Sequence, residues 1–194
     1  MARIHCFFTH SQHSRTALVL AGLLLALVGC ASLDEGQCRA GHWGELGFSD
    51  GAQGLGVDRL NDHRKACAEY GIAPDPGSYL LAREQGLLQY CTPTHAMQEG
   101  LAGRPYRDVC PPALDARFAP IHRAALAVYQ ARQAVNSAYT ESQQAESELR
   151  SDKLHPDRRK FLNEELRRLD FRLMRLRGDL RAAEHDLDRV LRAP

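Results

Sequence analysis

The groups in this 194-residue chain that could do chemistry are six cysteines and a small set of histidines and aspartates. Cys6 and Cys30 stand near the N-terminus, while Cys38, Cys67, Cys91 and Cys110 cluster further on. His63-x3-Cys67 places an imidazole and a thiol one helical turn apart. Cys91 or His95 could complete a set of four nitrogen and sulfur ligands of the kind zinc takes. The paired C-x2-C spacing of such sites is missing, however, and four clustered cysteines in an exported chain read as a disulfide framework. Three pairings are open. Nearest-neighbour pairing, Cys38–Cys67 with Cys91–Cys110, is the least demanding and is expected. Each bridge would contribute about 3 kcal/mol if loop entropy dominates. Neither a metal nor a cofactor is expected. Asp50, Asp62, His42, His63 and His95 could supply a carboxylate–imidazole pair for acid–base work. Ser49 lacks the Gly-x-Ser-x-Gly elbow of a nucleophile. Asp50 is therefore expected to hydrogen-bond a turn and His63 to pack on a bridge, and no catalytic residue is assigned. Trp43, Tyr79, Tyr90 and Tyr106 either line a ligand groove or fill a small core. With Asp50 and His63 they form the candidate ligand or packing site. Gly51 and Gly54 lack the strand and lysine of a phosphate loop.

The segment that should position this chemistry in the cell is the N-terminus. Residues 1–15 carry Arg3, Arg15 and no acid; residues 16–28 are apolar; Gly29 is small. This is the layout of a secretory signal, and the apolar run is shorter than the roughly 20 residues a membrane-spanning helix needs. It ends Leu27-Val28-Gly29-Cys30, which resembles a bacterial lipobox. That resemblance implies cleavage before Cys30 and acylation of its thiol and new amine. Two or more acyl chains anchor stably, at about 0.8 kcal/mol per buried methylene. Ala31, not Asp, follows the cysteine, which favours the outer membrane.

The chain divides by charge as well as by cysteines. Its formal net charge is +1, and no nucleic-acid motif appears, so nucleic acid is not an expected partner. Residues 30–112 hold seven basic and eleven acidic residues, whereas residues 113–194 hold sixteen and thirteen. We read 1–29 as a lipoprotein signal peptide, 30–112 as a Cys-rich head and 113–194 as an antiparallel coiled-coil hairpin.

The head reads as helical and loop-rich. Residues 31–37 are expected to be a tether. Gly47, Gly51 and Gly54 recur at helical intervals and would make one flat face open to close backbone approach. Asp58 can cap a helix running to about Tyr70 with Gly71 as its stop, and Leu60, Arg64 and Cys67 would share its face. Asp75-Pro76 and Thr92-Pro93 are two further starts, a cap followed by proline in the first turn. The first should carry Tyr79, Leu80, Leu87 and Tyr90 to Cys91; the second should end by Gly103. Pro111-Pro112 is expected to close the head. So small a unit should depend on its bridges.

The order Cys38, Trp43-x3-Gly47-x2-Asp50-Gly51-x2-Gly54, His63-x3-Cys67, Tyr79, Gly86-Leu87-x2-Tyr90-Cys91-Thr92-Pro93, Gly100-x2-Gly103-x2-Tyr106-x3-Cys110-Pro111 resembles an uncharacterised family of proteobacterial lipoproteins, domain of unknown function 2799. The resemblance covers roughly residues 30–125. Ala82-Arg83 departs from the Gly-Trp that the family pattern implies after Tyr79. What the resemblance implies is export, lipidation and paired cysteines; it implies no activity.

The last region is periodic. Ile121, Ala124, Val128, Ala131, Val135, Ala138, Ser142, Ala145 and Leu149 alternate spacings of three and four. Leu162, Leu166, Leu169, Leu173, Leu176, Leu180, Ala183, Leu187 and Val190 do the same beyond a turn at 151–156. Two equal heptad seams about a short turn predict an antiparallel helical hairpin about 42 Å long, small residues facing leucines. Arg158, Arg159 and Lys160 fall near its tip, and Arg168, Arg172 and Arg175 form a stripe.

The sequence thus predicts a mainly α protein without enzymatic activity, held to the cell envelope by lipid and facing the periplasm. It would bind an envelope protein or a second copy through its hairpin. A glycan- or small-ligand-binding head and an Asp50/His63 enzyme are the alternatives. Cys30→Ala should leave an uncut, unacylated precursor. Intact mass of the wild-type protein checks this, and a lipid-free mature Cys30 would contradict it.

Overall fold

The computed structural model describes residues 32–193. Cys30 and the signal segment 1–29 lie outside the described residues. Within them the chain forms seven helices and no strand: α1 Glu35–Ala40, α2 Trp43–Ala52, α3 Arg59–Ala68, α4 Pro76–Tyr90, α5 Pro93–Leu101, α6 Pro112–Leu149 and α7 Pro156–Arg192. The mainly α class and the long C-terminal helices agree with the sequence reading. The chain divides into two compact units, Met1–Gly41 with Asn61–Pro74, and His42–Leu60 with Asp75–Pro194.

The described part of the first unit is a stapled pair of helical pieces. Asp34 caps α1 through a reciprocal box: its Oδ1 accepts from Gln37 N at 2.8 Å and its own N–H donates to Gln37 Oε1 at 2.9 Å. Residues 35–37 are therefore the first turn of a helix, not tether, because Asp34 and Gln37 satisfy end groups that a tether would leave to water. Gly41, at φ 64°, ends α1. Cys38 bonds to Cys67 on α3 with a Cα–Cα distance of 5.5 Å, and both are buried. Leu60 and Cys67 of α3 are buried as expected, but Arg64 is exposed and His63 is buried in its stead. Arg64 turns outward to Asn61 Oδ1 at 2.7 Å.

In the second unit α2 and α4 meet backbone to backbone. A Cβ on Gly47 would stand 2.1 Å from Tyr79 O, one on Gly51 2.2 Å from Arg83 O, and one on Gly86 2.1 Å from Phe48 O. The helical glycine face is thus real, and three absent methyl groups set the interhelix distance. Gly54 departs from the expectation: α2 stops at Ala52, and Gly54 takes φ +66° against the Tyr90 ring. Its role is the left-handed turn that an L-residue resists. Asp75 caps α4 by accepting from Gly77 N at 3.0 Å and Ser78 N at 3.4 Å, and Thr92 caps α5 by accepting from His95 N at 3.2 Å. Tyr79, Leu87 and Tyr90 are buried, whereas Leu80 points outward at 38 % exposure, because it sits one position round the helix from the buried stripe.

Pro111-Pro112 does not close the head. Pro112 occupies the first turn of α6, where a missing N–H costs nothing, and the helix runs on through Pro120. Its first third belongs to the head core. Phe118 and Ile121 pack with Leu87, Tyr90, Cys91, Ala96 and Cys110, and Val190 and Leu191 of α7 press on the same cluster. Gly100 lets α5 lie on α6, since a Cβ there would meet His122 O at 2.5 Å. Cys91–Cys110, Cα–Cα 5.7 Å, ties the end of α4 to the approach to α6.

Beyond this core α6 and α7 pair antiparallel. Every residue of the two seams is buried or half-buried. Pairs between the helices fix the direction: Arg117 donates to Val190 O at 2.9 Å and Leu191 O at 2.8 Å, Arg132 pairs with Glu184 at 3.0 Å, Arg172 with Glu141 at 2.8 Å and Arg158 with Glu148 at 2.7 Å. Ala138, Ser142 and Ala145 are buried opposite a leucine-rich helix in which Leu162, Leu169 and Leu173 are buried. At the tip Arg159 donates to Leu149 O at 3.0 Å and Ser151 O at 3.2 Å, satisfying carbonyls that the end of α6 leaves open. His155 and Pro156 start α7.

Gly47→Ala should destabilise the protein by about 3 kcal/mol through a backbone clash that no rotamer relieves. Thermal unfolding checks it; an unchanged melting temperature would mean that α2 and α4 can separate freely.

Candidate functional site

The close approach of α2 and α4 presses their polar side chains together. Tyr79, fully buried on α4, donates its hydroxyl to Asp50 Oδ2 of α2 at 2.6 Å. Arg83, one turn on, is 8 % exposed and donates to Leu55 O at 2.5 Å. Arg83 thus ties α4 to the loop after α2. Burial pushes the Tyr79 hydroxyl well above the ordinary tyrosine range, and its bond to the Asp50 carboxylate pushes it further. Such a phenol stays protonated and donates; it offers no proton at neutral pH.

A second polar group surrounds Tyr90. The ring stacks on Phe118 with centroids 5.2 Å apart and lies 4.7 Å from the His95 ring. Beside it Glu99 accepts two bonds from Arg104, at 2.8 Å and 2.5 Å, and stands 3.4 Å from His95. The Arg104 guanidinium holds the Glu99 carboxyl below the usual carboxylate range. Burial, with Glu99 nearby, raises the Tyr90 hydroxyl. Gln53, Leu55, Tyr90, Glu99, Arg104 and Arg107 line a concavity of about 160 Å³.

Tyr106 is half-buried and belongs to the core of α6. Its hydroxyl donates to Asp115, accepts from Cys110 N at 3.1 Å, and its ring lies 4.7 Å from Phe118. Trp43, 7 % exposed, opens α2. His63, in the first unit, shares a 3.1 Å hydrogen bond with Ser32 Oγ. Of the six candidate residues, then, the structure joins Asp50 with Tyr79 and gathers Tyr90 and Tyr106 around Phe118. Trp43, Tyr79 and Tyr90 are buried and Tyr106 is half-buried, and of the four only Tyr90 lines the concavity just described. The thiols that a His63-based metal site would need are spent in Cys38–Cys67 and Cys91–Cys110. Among the described residues no three His, Cys, Asp or Glu side chains cluster as metal ligands.

Several residues of this region escaped the sequence reading. Phe118 and His122 were counted with the hairpin, yet Phe118 centres the aromatic cluster and His122 Nε2 lies 2.8 Å from Arg104 O. Their signal was present: both fall out of the heptad seam, where a purely coiled-coil helix has no use for a buried ring. Glu99 and Arg104 straddle the Gly103 turn, and a five-residue spacing belongs to no helical pairing rule.

Tyr79→Phe removes a bond to a buried carboxylate and should cost about 1.5–3 kcal/mol. Glu99 titrates below its unfolded value, so the stability it adds is present above that value and is lost as pH falls through the lowered one. Arg104→Ala should therefore move acid unfolding to higher pH. Denaturant melts of both variants between pH 2 and about pH 7 check these statements; a Glu99 that titrates normally by NMR would contradict the second.

No curated protein and no solved structure matches the chain. Residues 42–127 match the family model described as protein of unknown function (DUF2799), beginning at the start of α2 and ending inside α6. That span takes in the glycine contact, the Asp50–Tyr79 pair and the Phe118 cluster, and it is over this segment that the chain is similar to that uncharacterised family.

Proposed function

We propose that this chain is a lipid-anchored cell-envelope protein that works by binding another protein, with its hairpin as the contact surface, and not by catalysis. The observation that carries this reading is the outer side of α7. Phe171 is 71 % exposed and Met174 63 %, on a helix whose leucines are already spent against α6. Exposed apolar side chains of this size on a long helix mark contact surfaces, and Arg168, Arg172 and Arg175 around Phe171 supply the polar rim. In the head, by contrast, Asp50 and Tyr79 are engaged in a bond that holds helices together. Among the described residues no helix is long and apolar enough to cross a membrane, so the anchor in this reading is acylated Cys30. Ala31 directs it to the outer membrane, with the protein facing the periplasm.

A second reading has one observation in its favour. The concavity over Tyr90 combines an aromatic wall with Gln53, Arg104 and Arg107 at its edges, a combination suited to a small polar ligand such as a sugar.

Deleting residues 113–194 would not separate the two, because it removes Phe118 and Ile121 from the head core. Photo-reactive residues placed singly at Arg175 and at Arg107 in the full chain, in cells, do separate them. Arg175 should capture one discrete protein partner. Capture from Arg107 alone, of glycan or of protein, would overturn the hairpin reading.

A further inference from the structure

Tyr79, Tyr90 and Tyr106 spend their hydroxyls differently. Tyr79 donates to Asp50 and Tyr106 to Asp115. Tyr90 is 4 % exposed, yet its hydroxyl has no hydrogen-bond partner among the described residues. A buried hydroxyl is normally paired. The Tyr90 ring packs on Phe118 and beside His95, and its far end lies on Gly54. A Cβ on Gly54 would stand 2.3 Å from Cζ, so only a glycine lets the ring end lie there. Tyr90 and Gly54 both line the concavity of about 160 Å³, and the hydroxyl end is the part of the ring that borders it.

The rest of the concavity indicates what would meet that hydroxyl. Arg107, exposed at the rim, forms no ion pair among the described residues. Its positive charge, with that of Arg104, reaches the Tyr90 hydroxyl. Glu99 lines the same space, but its two oxygens accept from Arg104. One guanidinium charge is thus left over. The segment that carries both arginines is held at three points. His122 Nε2 lies 2.8 Å from Arg104 O, Tyr106 accepts from Cys110 N at 3.1 Å, and Cys110 is bonded to Cys91, the residue after Tyr90. The donors are therefore in place before a ligand arrives, which lowers the cost of binding one.

We propose that this concavity binds a carboxylate, which accepts from the Tyr90 hydroxyl and pairs with the Arg107 guanidinium. A planar carboxylate matches the guanidinium fork. A doubly charged phosphate would exceed the one spare positive charge and would face Glu99. Leu55 and Pro105 in the wall admit a short apolar substituent. The space is smaller than the roughly 300–1,000 Å³ of sites that enclose a drug-sized ligand. It takes the acidic end of a molecule, either a small organic acid or the carboxyl terminus of a peptide. The proposal rests on the second reading above, names the group recognised, and is independent of the hairpin.

NMR titration of the full chain, read at the Tyr90 ring and the Gly54 amide, tests it. The probes are acetate, N-acetyl-alanyl-alanine and the C-terminal amide of that peptide. Both acids should shift the two signals with dissociation constants of about 1–10 mM, as suits ligands of few atoms, and the amide should not. Equal binding of the two acids would identify a small organic acid, and tighter binding of the peptide a carboxyl terminus; either supports the site. Arg107→Gln and Tyr90→Phe should each weaken binding about tenfold. Tyr90→Phe should also leave the melting temperature unchanged, unlike Tyr79→Phe, because its hydroxyl holds nothing in the free protein. No shift, or equal binding of acid and amide, would overturn the proposal. So would a Tyr90→Phe protein that melts as low as Tyr79→Phe, since the hydroxyl would then have a structural partner. Shifts of the same signals by N-acetylglucosamine and by neither acid would overturn the carboxylate while leaving the second reading in place.

Discussion

The contact on which the rest of the head depends is backbone against backbone. Where Gly47 and Gly51 of α2 meet Tyr79 and Arg83 of α4, and Gly86 of α4 meets Phe48 of α2, no side chain keeps the helices apart. Two helices that close bring their flanking polar groups into low-dielectric contact, so those groups must be paired. Asp50 with Tyr79 and Arg83 with Leu55 O are therefore consequences of the glycines as much as sites in their own right. The same economy recurs at Gly100, where α5 lies on α6. The head has few large apolar residues, and it gains density by bringing main chains together.

In that arrangement the polar residues singled out at the crossing have structural partners. The buried Tyr79 phenol stays protonated and spends its hydroxyl on the Asp50 carboxylate 2.6 Å away. The two disulfides act in the same direction. Cys38–Cys67 closes the smaller unit, and Cys91–Cys110 fixes the loop that leads from the aromatic cluster into α6. The concavity above Tyr90 and the outside of the hairpin face solvent.

Much of this was legible in the residues. The Asp75-Pro76 and Thr92-Pro93 starts, the glycine spacing at 47 and 51, the nearest-neighbour disulfides and both heptad seams all correspond to observed elements, because each rests on local geometry or strict periodicity. The failures also have local causes. Gly54 shares the interval of its neighbours but lies beyond the helix end. Leu80 and Arg64 sit next to buried stripes, where one step of 100° changes the environment. The start of α6 was hidden by its prolines, since Pro111-Pro112 reads equally as a stop and as a first turn. Phe118 and His122 lie outside the heptad seam of that helix, and periodicity alone gives no sign of the aromatic core that Phe118 centres. Long-range pairs such as Glu99–Arg104 or Arg117 with the end of α7 leave no trace in spacing at all.

The shared helix α6 has a consequence for how such a protein can vary. Its first third is bound to the aromatic cluster, and the returning end of α7 is held there by Arg117 and by Val190 and Leu191. Both ends of the hairpin are thus clamped to the head, and only the distal portion is unconstrained. A length change is tolerated there if seven residues enter or leave α6 and seven enter or leave α7 together; an unmatched change would rotate one seam out of its partner. Each matched step would move the tip by about 10 Å at 1.5 Å per residue. The head is then a fixed mount, and the hairpin an arm whose span evolution can lengthen or shorten in paired increments without reworking the mount.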